Sequence, residues 1–330
     1  MNIPKEVLEI ADGIRSMKIR GAGRIARSAA NALKIASEMY TGNTLNEYIE
    51  YIKTIADVLL NTRPTAVSLP NAINFVISRL MRKIDYISDV EEARNIVEGA
   101  ASEFIVRSKE ALKLIGVIGA KRIRDEDVIL THCNSSAALS VIMKAYEEGK
   151  NIKVFATETR PKFQGIITVK ILASKGIDVT LIPDSAVRLI MKKVDKVIVG
   201  ADAVAANGAV VNKIGTSQIA LAAHEARVRV FVAAETYKFS PATVTGELII
   251  IEERKPSEVV STAFLEEHPK IRVRNPAFDV TPADYIDAII TEKGVIPPQA
   301  AILILKEEYG WVISDYLLRI SSSEEGETTK

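Results

Sequence analysis

Two kinds of hydrophobic pattern divide the chain. From residue 4 to about 120, apolar residues recur at steps of three and four, which is the spacing of one apolar helix face. Two runs carry the pattern most clearly: Leu45, Tyr48, Ile49, Ile52, Ile55, Ala56 and Leu59, and then Val90, Ala93, Ile96, Val97, Ala100, Phe104 and Ile105. A break between Pro64 and Pro70 precedes a further helix near 71–84. The pattern predicts a helical domain in this part of the chain.

The second kind of pattern begins near residue 126 and is typical of a parallel sheet. Segments of helix length alternate with short apolar, β-branched runs: DVILTHC, IKVFAT, DVTLIPD, VDKVIVGAD and RVRVFVAAE. Such alternation forms βαβ units, whose sheet is mostly parallel and has helices on both faces. We therefore expect an α/β protein with a helical N-terminal domain over 1–122, a Rossmann-like catalytic domain over 123–320 and a flexible polar tail over 321–330.

Charge and cysteine content exclude several classes of protein. The 330 residues include 43 Lys and Arg against 42 Asp and Glu, and a net charge of +1 does not suit a nucleic-acid-binding protein. A single cysteine, Cys133, rules out an internal disulfide. No apolar stretch reaches the ~18 residues of a membrane span, and the first residues lack the order of a signal peptide. We expect a soluble, cytoplasmic protein, and its few glutamines favour a heat-adapted organism.

The segment ILTHCNSSAAL (129–139) is the strongest candidate for chemistry. An apolar strand ends here and a helix is expected to begin near Ser135, with Cys133 on the turn between them. Ligands of open α/β sheets bind at the carboxyl ends of strands. The field of a helix N-terminus favours anions and would lower the pKa of the thiol, which makes the sulfur a better base. Two plainer interpretations stay open: Cys133 can be an ordinary core residue, and Ser135 and Ser136 can cap the helix instead of holding a phosphate.

A second candidate site lies in KVIVGADAVAANGAVVNKIGTSQIAL (196–221). Asp202 follows an apolar strand, and a carboxyl group at a strand end can act as a general acid, because burial favours its protonated form. Lys213, next to Asn212, and the backbone amides of residues 215–217 suit a phosphate. The plainer alternative is that Asp202 caps a turn and Lys213 is solvated.

Further candidate anion sites recur along the chain in four short segments, RGAGR, TRPTA, TETRPKFQG and ETYKF, although the glycines of the first can also form an ordinary turn. In the first, Gly21 and Gly23 are expected just before a helix, but no strand precedes them, so this is not a dinucleotide fingerprint. The cations singled out in these segments are Arg20, Arg24, Arg63, Arg160 and Lys238. So many anion sites at strand ends and helix starts suggest a ligand with two phosphates.

The histidines give no sign of a metal site. His132, His224 and His268 are scattered without the spacing of ligands, so neither a metal nor another cofactor is expected. His132 adjoins Cys133, but neighbouring residues of a strand point to opposite faces. This argues against a Cys–His pair and against a cysteine-dependent hydrolase.

Together these motifs resemble one superfamily. RGAGRIAR, THCNSSAAL, ETRPKFQG, GADAVAANGAVVNKIGT and ETYKFSP are similar to recurring motifs of the superfamily that joins sugar-1-phosphate isomerases to the regulatory subunits of a translation-initiation exchange factor. The resemblance covers most of the chain and implies a helical domain followed by a Rossmann-like domain. In the catalytic branches a cysteine and an aspartate form the catalytic pair, and Cys133 and Asp202 stand at the matching positions. Regulatory members commonly lack that pair, so the resemblance implies an enzyme.

The resemblance also implies which residues hold a sugar phosphate. The matching positions are Arg20, Gly21, Ala22, Gly23, Arg63, Ser135, Ser136, Arg160, Asn212, Lys213 and Lys238. Because the helical half carries Arg20, Arg24 and Arg63, it suits a second phosphate better than the thioether of methylthioribose 1-phosphate. The expected reaction is the isomerisation of α-D-ribose 1,5-bisphosphate to D-ribulose 1,5-bisphosphate, in the breakdown of nucleoside monophosphates.

Two other functions remain open at this point. The chain can be a methylthioribose-1-phosphate isomerase, or a non-catalytic regulatory subunit that binds a translation initiation factor. The resemblance further implies a homo-oligomer, with dimers assembled into a hexamer. The net charge and the lack of a long apolar stretch argue against nucleic acid and a membrane as partners.

Overall fold

The computed structural model describes residues 3–310, so the tail expected over 321–330 lies outside the described residues. The chain divides into two compact units, Met1–Ala111 and Leu112–Lys330. The division falls inside one long helix, Val90–Ala120, and therefore precedes the boundary that the sequence suggested after residue 122. Hydrophobic spacing could not reveal it, because the helical pattern continues through the division.

The first unit is helical, as the spacing of apolar residues predicts. Its helices are α1 (Lys5–Arg15), α2 (Ala22–Glu38), α3 (Leu45–Leu60), α4 (Ser68–Met81) and α5 (Val90–Ala120), the last of which continues into the second unit. Their apolar faces form the core, in which Leu33, Ile52 and Leu69 are fully buried. Within residues 3–310, no helix is both long and apolar enough to cross a membrane.

The start of α2 depends on a glycine. Gly21 has a φ of 87°, a left-handed conformation that favours glycine. The helix begins at the next residue, so Gly23 lies in the first turn of α2 and not before it, as expected from the sequence. The hydroxyl of Ser68 donates a hydrogen bond to the carbonyl of Ala22 at 3.0 Å. The first residues of α4 and α2 therefore lie side by side.

The second unit alternates strands and helices. In chain order its elements are β1 (Val128–Thr131), α6 (Ser136–Glu147), β2 (Lys153–Thr157), α7 (Gly165–Ser174), β3 (Asp178–Ile182), α8 (Val187–Ile190), β4 (Lys196–Gly200), β5 (Ala203–Val204), β6 (Val210–Lys213), α9 (Thr216–Ala226), β7 (Arg229–Ala233), α10 (Thr262–Glu267), β8 (Phe278–Thr281), β9 (Ala288–Thr291) and β10 (Gly294–Ile296).

Seven of these strands form one sheet, in the order β10-β9-β7-β4-β1-β2-β3. Every neighbouring pair is parallel except β10 and β9. Without β10, the strands follow the order 3-2-1-4-5-6 of doubly wound, Rossmann-type sheets. The predicted fold class, a helical domain followed by a Rossmann-like parallel sheet, is confirmed.

Alternate residues of the central strands pack on opposite faces of this sheet. Ile129 and Ile198 join a buried cluster with residues of α6, whereas Leu130 and Val197 join another with residues of α9. Such alternation is the pleat of a strand whose two faces are both covered. The sheet is therefore covered by helices on both sides, and its ligands are expected at the strand ends.

A small antiparallel sheet, in the order β5-β6-β8, was not expected from the sequence. In its register Asn212 lies opposite Asp279 and Lys213 lies opposite Phe278. β5 is only two residues long, and β8 comes from a part of the chain far from β6. A local pattern cannot show such a pairing, although the pairing sets the surroundings of Lys213.

Candidate active site

Four neighbouring strands of the large sheet bring candidate residues to one edge. β7, β4, β1 and β2 are adjacent and parallel, and Lys238, Asp202, Cys133 and Arg160 follow them in that order. The direction of chain winding reverses between β1 and β4, because β2 and β3 extend the sheet on one side while β7 and β9 extend it on the other. Ligands of such sheets bind in the crevice at this reversal. Cys133 and Asp202 lie on its two sides.

Cys133 occupies a turn that is held from both directions. Its φ of 65° lies in the left-handed region, which is uncommon for a residue with a side chain. The N–H of Cys133 donates to Thr159 Oγ1 at 2.9 Å, and its carbonyl accepts a hydrogen bond from the hydroxyl of Thr168 at 2.7 Å. The thiol donates to Gln164 Oε1, with 3.6 Å between sulfur and oxygen. These contacts give the sulfur a defined direction.

The surroundings of this thiol differ from what its place before a helix suggested. The pKa of Cys133 is raised to about 11, mainly by burial and also by the charge of Asp202, and this value already includes the lowering by Lys213 and Arg254. The expected lowering of the thiol pKa is therefore wrong, because removal of water from the sulfur outweighs the helix N-terminus and the nearby cations. At neutral pH the side chain of Cys133 is a neutral thiol.

Asp202 lies just beyond β4 and is half-buried. Its backbone N–H donates to the carbonyl of Val211 at 2.9 Å, which ties this position to β6. Gly200, at the end of β4, packs so closely that a Cβ there would lie 2.1 Å from Ser135 Oγ. Only glycine allows this approach of the end of β4 to the start of α6. Since the charge of Asp202 also acts on the thiol of Cys133, the two groups lie within electrostatic reach of each other.

Ser135 caps helix α6, as the plainer interpretation of the motif held. Its Oγ accepts a hydrogen bond from the N–H of Ala138 at 3.2 Å. Ser136 is the first residue of the helix and is exposed. The hydroxyl hydrogen of a capping serine can still be donated to a ligand. Phosphate binding by Ser135 and Ser136 stays a prediction.

The start of α9 is already occupied by a carboxylate of the protein. The N–H groups of Gly215 and Ser217 donate to Asp279 Oδ2 at 2.7 and 3.1 Å. Burial raises the pKa of Asp279 to about 6. The expectation that the amides of residues 215–217 bind a phosphate is therefore wrong for Gly215 and Ser217, because the carboxylate holds both N–H groups and would repel a second anion.

Asn212 and Lys213 are both buried. The Asn212 side chain donates to Thr216 Oγ1 at 3.0 Å, and Lys213 Nζ donates to the carbonyl of Ala277 at 2.9 Å. The same ammonium lies 4.7 Å from the centroid of the Phe278 ring, within the range of a cation–π interaction. The alternative of a solvated Lys213 is wrong, whereas phosphate binding by these two residues stays a prediction.

The two remaining cations of the sheet edge differ in exposure. Arg160 is exposed, and its guanidinium lies 5.1 Å from the centroid of the Phe163 ring. Lys238 is buried, and its Nζ lies 2.7 Å from Glu235 Oε2. The charge of Lys238 is thus balanced within the protein, whereas Arg160 presents its charge to solvent.

In the helical unit, the predicted phosphate residues gather at two helix starts. Residues 20–23 form the start of α2, and Arg63 precedes α4. The hydrogen bond from Ser68 to Ala22 holds these starts together. Arg20 is exposed, whereas Arg63 is 9% exposed. Two adjacent helix N-termini with arginines are suited to an anion, and their role stays a prediction.

Several residues around Cys133 were missed. Thr159 and Gln164 lie in TETRPKFQG, where only the arginine had been singled out, and Thr168 follows on α7. A signal for them existed, because segments that follow two adjacent parallel strands meet at the same edge of the sheet. Arg254 and Asp279 gave no such signal, since their positions depend on the small sheet and the long segment before it.

Comparison with known proteins identifies the family. The Initiation factor 2 subunit family matches residues 18–298, and the chain belongs to this family. Ribose 1,5-bisphosphate isomerase of Thermococcus kodakarensis is 56% identical over 316 residues, which cover 95% of this chain and 98% of that protein. The protein of the same name from Pyrococcus furiosus is 58% identical over 312 residues, or 94% and 96% of the two chains. Methylthioribose-1-phosphate isomerase of Acetivibrio thermocellus is 42% identical over 306 residues, or 89% of each.

Solved structures show the same architecture under different functional names. The Pyrococcus horikoshii OT3 translation initiation factor eIF-2B has a TM-score of 0.77 and 34% identity, with 91% of this chain and 99% of that chain covered. The 5-methylthioribose 1-phosphate isomerase of the same organism has a TM-score of 0.72 and 32% identity, with 92% and 87% covered. Because the fold serves both names, function has to be argued from the site.

Proposed function

We propose that this chain is an isomerase that converts α-D-ribose 1,5-bisphosphate to D-ribulose 1,5-bisphosphate. The observation that carries the proposal is the position of Cys133 and Asp202 at the carboxyl ends of the adjacent strands β1 and β4. The relatives named ribose 1,5-bisphosphate isomerase, at 56% and 58% identity over nearly the whole chain, support this substrate.

The reaction poses a specific chemical problem. The anomeric oxygen of the substrate carries a phosphate, so the sugar cannot open to a free aldehyde as ordinary aldoses do. The enzyme must break the bond between C1 and the ring oxygen and move a hydrogen from C2 to C1 while it keeps the phosphate ester. A base near C2 and an acid near the ring oxygen meet this requirement.

In the proposed mechanism, Cys133 and Asp202 supply this base and this acid. The Cys133 thiolate takes the proton from C2, the C–H electrons form the C1–C2 double bond, and Asp202 protonates the ring oxygen as its bond to C1 breaks. The resulting enol phosphate then accepts the proton from the Cys133 thiol at C1. Its 2-hydroxyl returns a proton to the Asp202 carboxylate, which restores both groups. Each positioned acid or base typically contributes about 10²–10⁴-fold in rate.

The raised thiol pKa adds a condition to this mechanism. Since Cys133 is a neutral thiol at neutral pH, the first step uses the small fraction of molecules in which it is ionised. Lys213 and Arg254 stabilise that thiolate, because their charges lower its pKa. The thiolate fraction of Cys133 should therefore rise with pH below the thiol pKa, whereas turnover also requires Asp202 in its protonated form.

Binding of the two phosphates is the second part of the proposal. The expected contacts are those of the resemblance: Arg20, Gly21, Ala22, Gly23, Arg63, Ser135, Ser136, Arg160, Asn212, Lys213 and Lys238. Fixing both ends of the sugar would hold C2 and the ring oxygen against the acid–base pair and exclude water. The protein would act in the cytoplasm as a homo-oligomer, a hexamer built from dimers, with the sugar bisphosphate as its small-molecule partner.

A two-substrate assay tests the proposal against both alternatives. The purified chain is incubated with α-D-ribose 1,5-bisphosphate or with methylthioribose 1-phosphate, and the products are followed by phosphorus and carbon NMR. In parallel, immobilised chain is exposed to purified translation initiation factor 2. We expect ribulose 1,5-bisphosphate from the first sugar, at a kcat/KM at least about 100-fold above that for the second.

The outcomes separate the three functions. Faster turnover of methylthioribose 1-phosphate would assign the chain to that activity. Retention of the initiation factor without turnover of either sugar would support a regulatory subunit. Running the productive reaction in D₂O tests the route, because solvent deuterium at C1 of the product would rule out a hydride shift.

A further inference from the structure

His132 is buried beside Cys133 and uses both of its ring nitrogens. Nε2 lies 2.9 Å from the carbonyl of Ile214, which can only accept, so Nε2 carries a proton and donates. Nδ1 lies 2.5 Å from Thr157 Oγ1. Burial lowers the pKa of His132, so the imidazole is neutral and Nδ1 accepts the hydrogen bond from the Thr157 hydroxyl.

The hydrogen bonds of His132 continue to the backbone of the catalytic cysteine. Because the Thr157 hydroxyl gives its hydrogen to His132, the Thr159 hydroxyl donates to one of three acceptors: the Thr157 carbonyl at 3.3 Å, Thr157 Oγ1 at 3.4 Å or His132 Nδ1 at 3.5 Å. Thr159 Oγ1 accepts the N–H of Cys133. All three acceptors belong to Thr157 or His132, so these contacts lead from the N–H of Cys133 to the Ile214 carbonyl. We call His132, Thr157, Thr159 and the Ile214 carbonyl the positioning chain.

The positioning chain joins three segments of the candidate site. His132 and Cys133 follow β1, Thr157 ends β2 and Ile214 follows Lys213 at the end of β6. The turn after β6 packs directly on the imidazole, since a Cβ on Gly215 would lie 3.2 Å from its Cε1. A neutral imidazole can accept a hydrogen bond at one ring nitrogen and donate one from the other. Here Nδ1 accepts from the Thr157 hydroxyl and Nε2 donates to the Ile214 carbonyl.

We propose that His132 is a positioning residue for Cys133, which fixes the direction of the thiol relative to the segment that carries Lys213. It acts through Thr157 and Thr159 on one side and through Ile214 on the other. The inference rests on the proposed function, because it takes Cys133 as the base. It also explains why a buried histidine next to the cysteine forms no Cys–His pair: both of its nitrogens are already engaged.

The expectation that His132 packs away from the site rested on strand alternation. β1 ends at Thr131, and the left-handed φ of Cys133 breaks the alternation that the argument assumed. The side chain of His132 therefore contacts Thr157 at the end of β2 and Ile214 after β6. Both residues lie near the thiol of Cys133.

Matched threonine variants test the positioning chain. Thr157→Val removes the hydroxyl and keeps the shape of the side chain, whereas Thr157→Ser keeps the hydroxyl. Thr281→Val is the control, because Thr281 is 1% exposed and its hydroxyl has no hydrogen-bond partner within residues 3–310. For each variant we would measure kcat and KM for ribose 1,5-bisphosphate and, without substrate, the rate at which iodoacetamide alkylates the single cysteine.

A lost positioning contact should change kcat more than KM. Thr157→Val should lower kcat at least about 10-fold, change KM by less than about 3-fold and change the alkylation rate at least about 5-fold, because small misplacements of a reacting group are costly. Thr157→Ser should restore both readouts, and Thr281→Val should match the unmodified chain. If Thr157→Val does not fold, the variants Thr159→Val and Thr159→Ser test the positioning chain at the residue that contacts the N–H of Cys133.

The two readouts separate this inference from the proposed function. If the chain isomerises the sugar and Thr157→Val changes neither kcat nor alkylation, the positioning role is wrong and the function stands. The role is also wrong if the valine and serine variants are equally impaired. If the chain turns over no ribose 1,5-bisphosphate, but the valine variant alone changes alkylation, the proposed function is wrong and the control of the thiol stands.

Discussion

The ionisation of Cys133 gives the most quantitative prediction, because local sequence and tertiary structure imply opposite results. A helix N-terminus alone would bring the thiol pKa below its ordinary value of about 8.5, whereas burial raises it to about 11. At pH 7 an ordinary thiol is roughly 3% thiolate. A thiol with a pKa of about 11 is ionised in only about one molecule in 10,000. The predicted difference in thiolate is about 300-fold.

Alkylation by iodoacetamide measures this difference, because the thiolate is the reacting species and Cys133 is the only cysteine of the chain. The thiolate of a weaker acid is more nucleophilic. With a Brønsted coefficient of about 0.4–0.5, the Cys133 thiolate should react about 10-fold faster than an ordinary thiolate, which offsets part of its lower abundance. The folded protein should therefore react about 30-fold more slowly at pH 7 than an exposed cysteine. More decisively, the logarithm of the rate should rise by about one unit per pH unit up to about pH 10.

Two controls make this result interpretable. The same chain in guanidinium chloride should level off near the ordinary thiol pKa of about 8.5, since unfolding restores water to the sulfur. Lys213→Met should move the folded curve to higher pH, because Lys213 is the strongest of the groups that lower the thiol pKa. A folded curve that levels off at or below about pH 8.5 would refute the reasoning, and the helix N-terminus would then dominate the site.

Three further predictions concern other parts of the chain. Burial raises the pKa of Asp279 from 3.8 to about 6, so its stabilising contribution is present at low pH and is lost as the pH rises through 6. Asp279→Asn should therefore raise the Tm at about pH 8 but not at about pH 3.5. An equal decrease in Tm at both pH values would contradict this. Glu235→Gln leaves the buried charge of Lys238 without its partner and should lower the free energy of unfolding by roughly 3–5 kcal/mol. The double variant with Lys238→Met should lose less. If chemical denaturation shows equal losses for the two, the ion pair is not what stabilises this region. Arg63→Ala should raise the KM for ribose 1,5-bisphosphate at least about 10-fold with little change in kcat, and an unchanged KM would remove Arg63 from the phosphate contacts.

The large sheet and its candidate edge could be predicted from the sequence, because both depend on local periodicity. Apolar β-branched runs mark β1, β2, β3, β4 and β7, and parallel strands bring the residues that follow them to one edge. This reasoning placed Cys133 and Asp202 at strand ends before their order in the sheet was known. The adjacency of β1 and β4 then brings the two groups to the reversal point.

The surroundings of these groups could not be predicted in the same way, because they depend on contacts between distant segments. Asp279 reaches the start of α9 only through the pairing of β8 with β6. The pKa of Cys133 is set by how much water the folded chain removes from the sulfur, which no local motif reports. The role inferred for His132 likewise appears only when the ends of β1, β2 and β6 meet.

The most direct test of the central claim is single turnover of α-D-ribose 1,5-bisphosphate by the unmodified chain, Cys133→Ser and Asp202→Asn. Asp178→Asn serves as the control, because Asp178 is exposed at the start of β3, at the opposite edge of the sheet. We expect both site variants to bind the sugar within about 3-fold of the unmodified chain and to form ribulose 1,5-bisphosphate at least about 100-fold more slowly, while the control keeps the full rate. Near-normal product formation by either site variant would contradict the assignment of Cys133 and Asp202 as the acid–base pair.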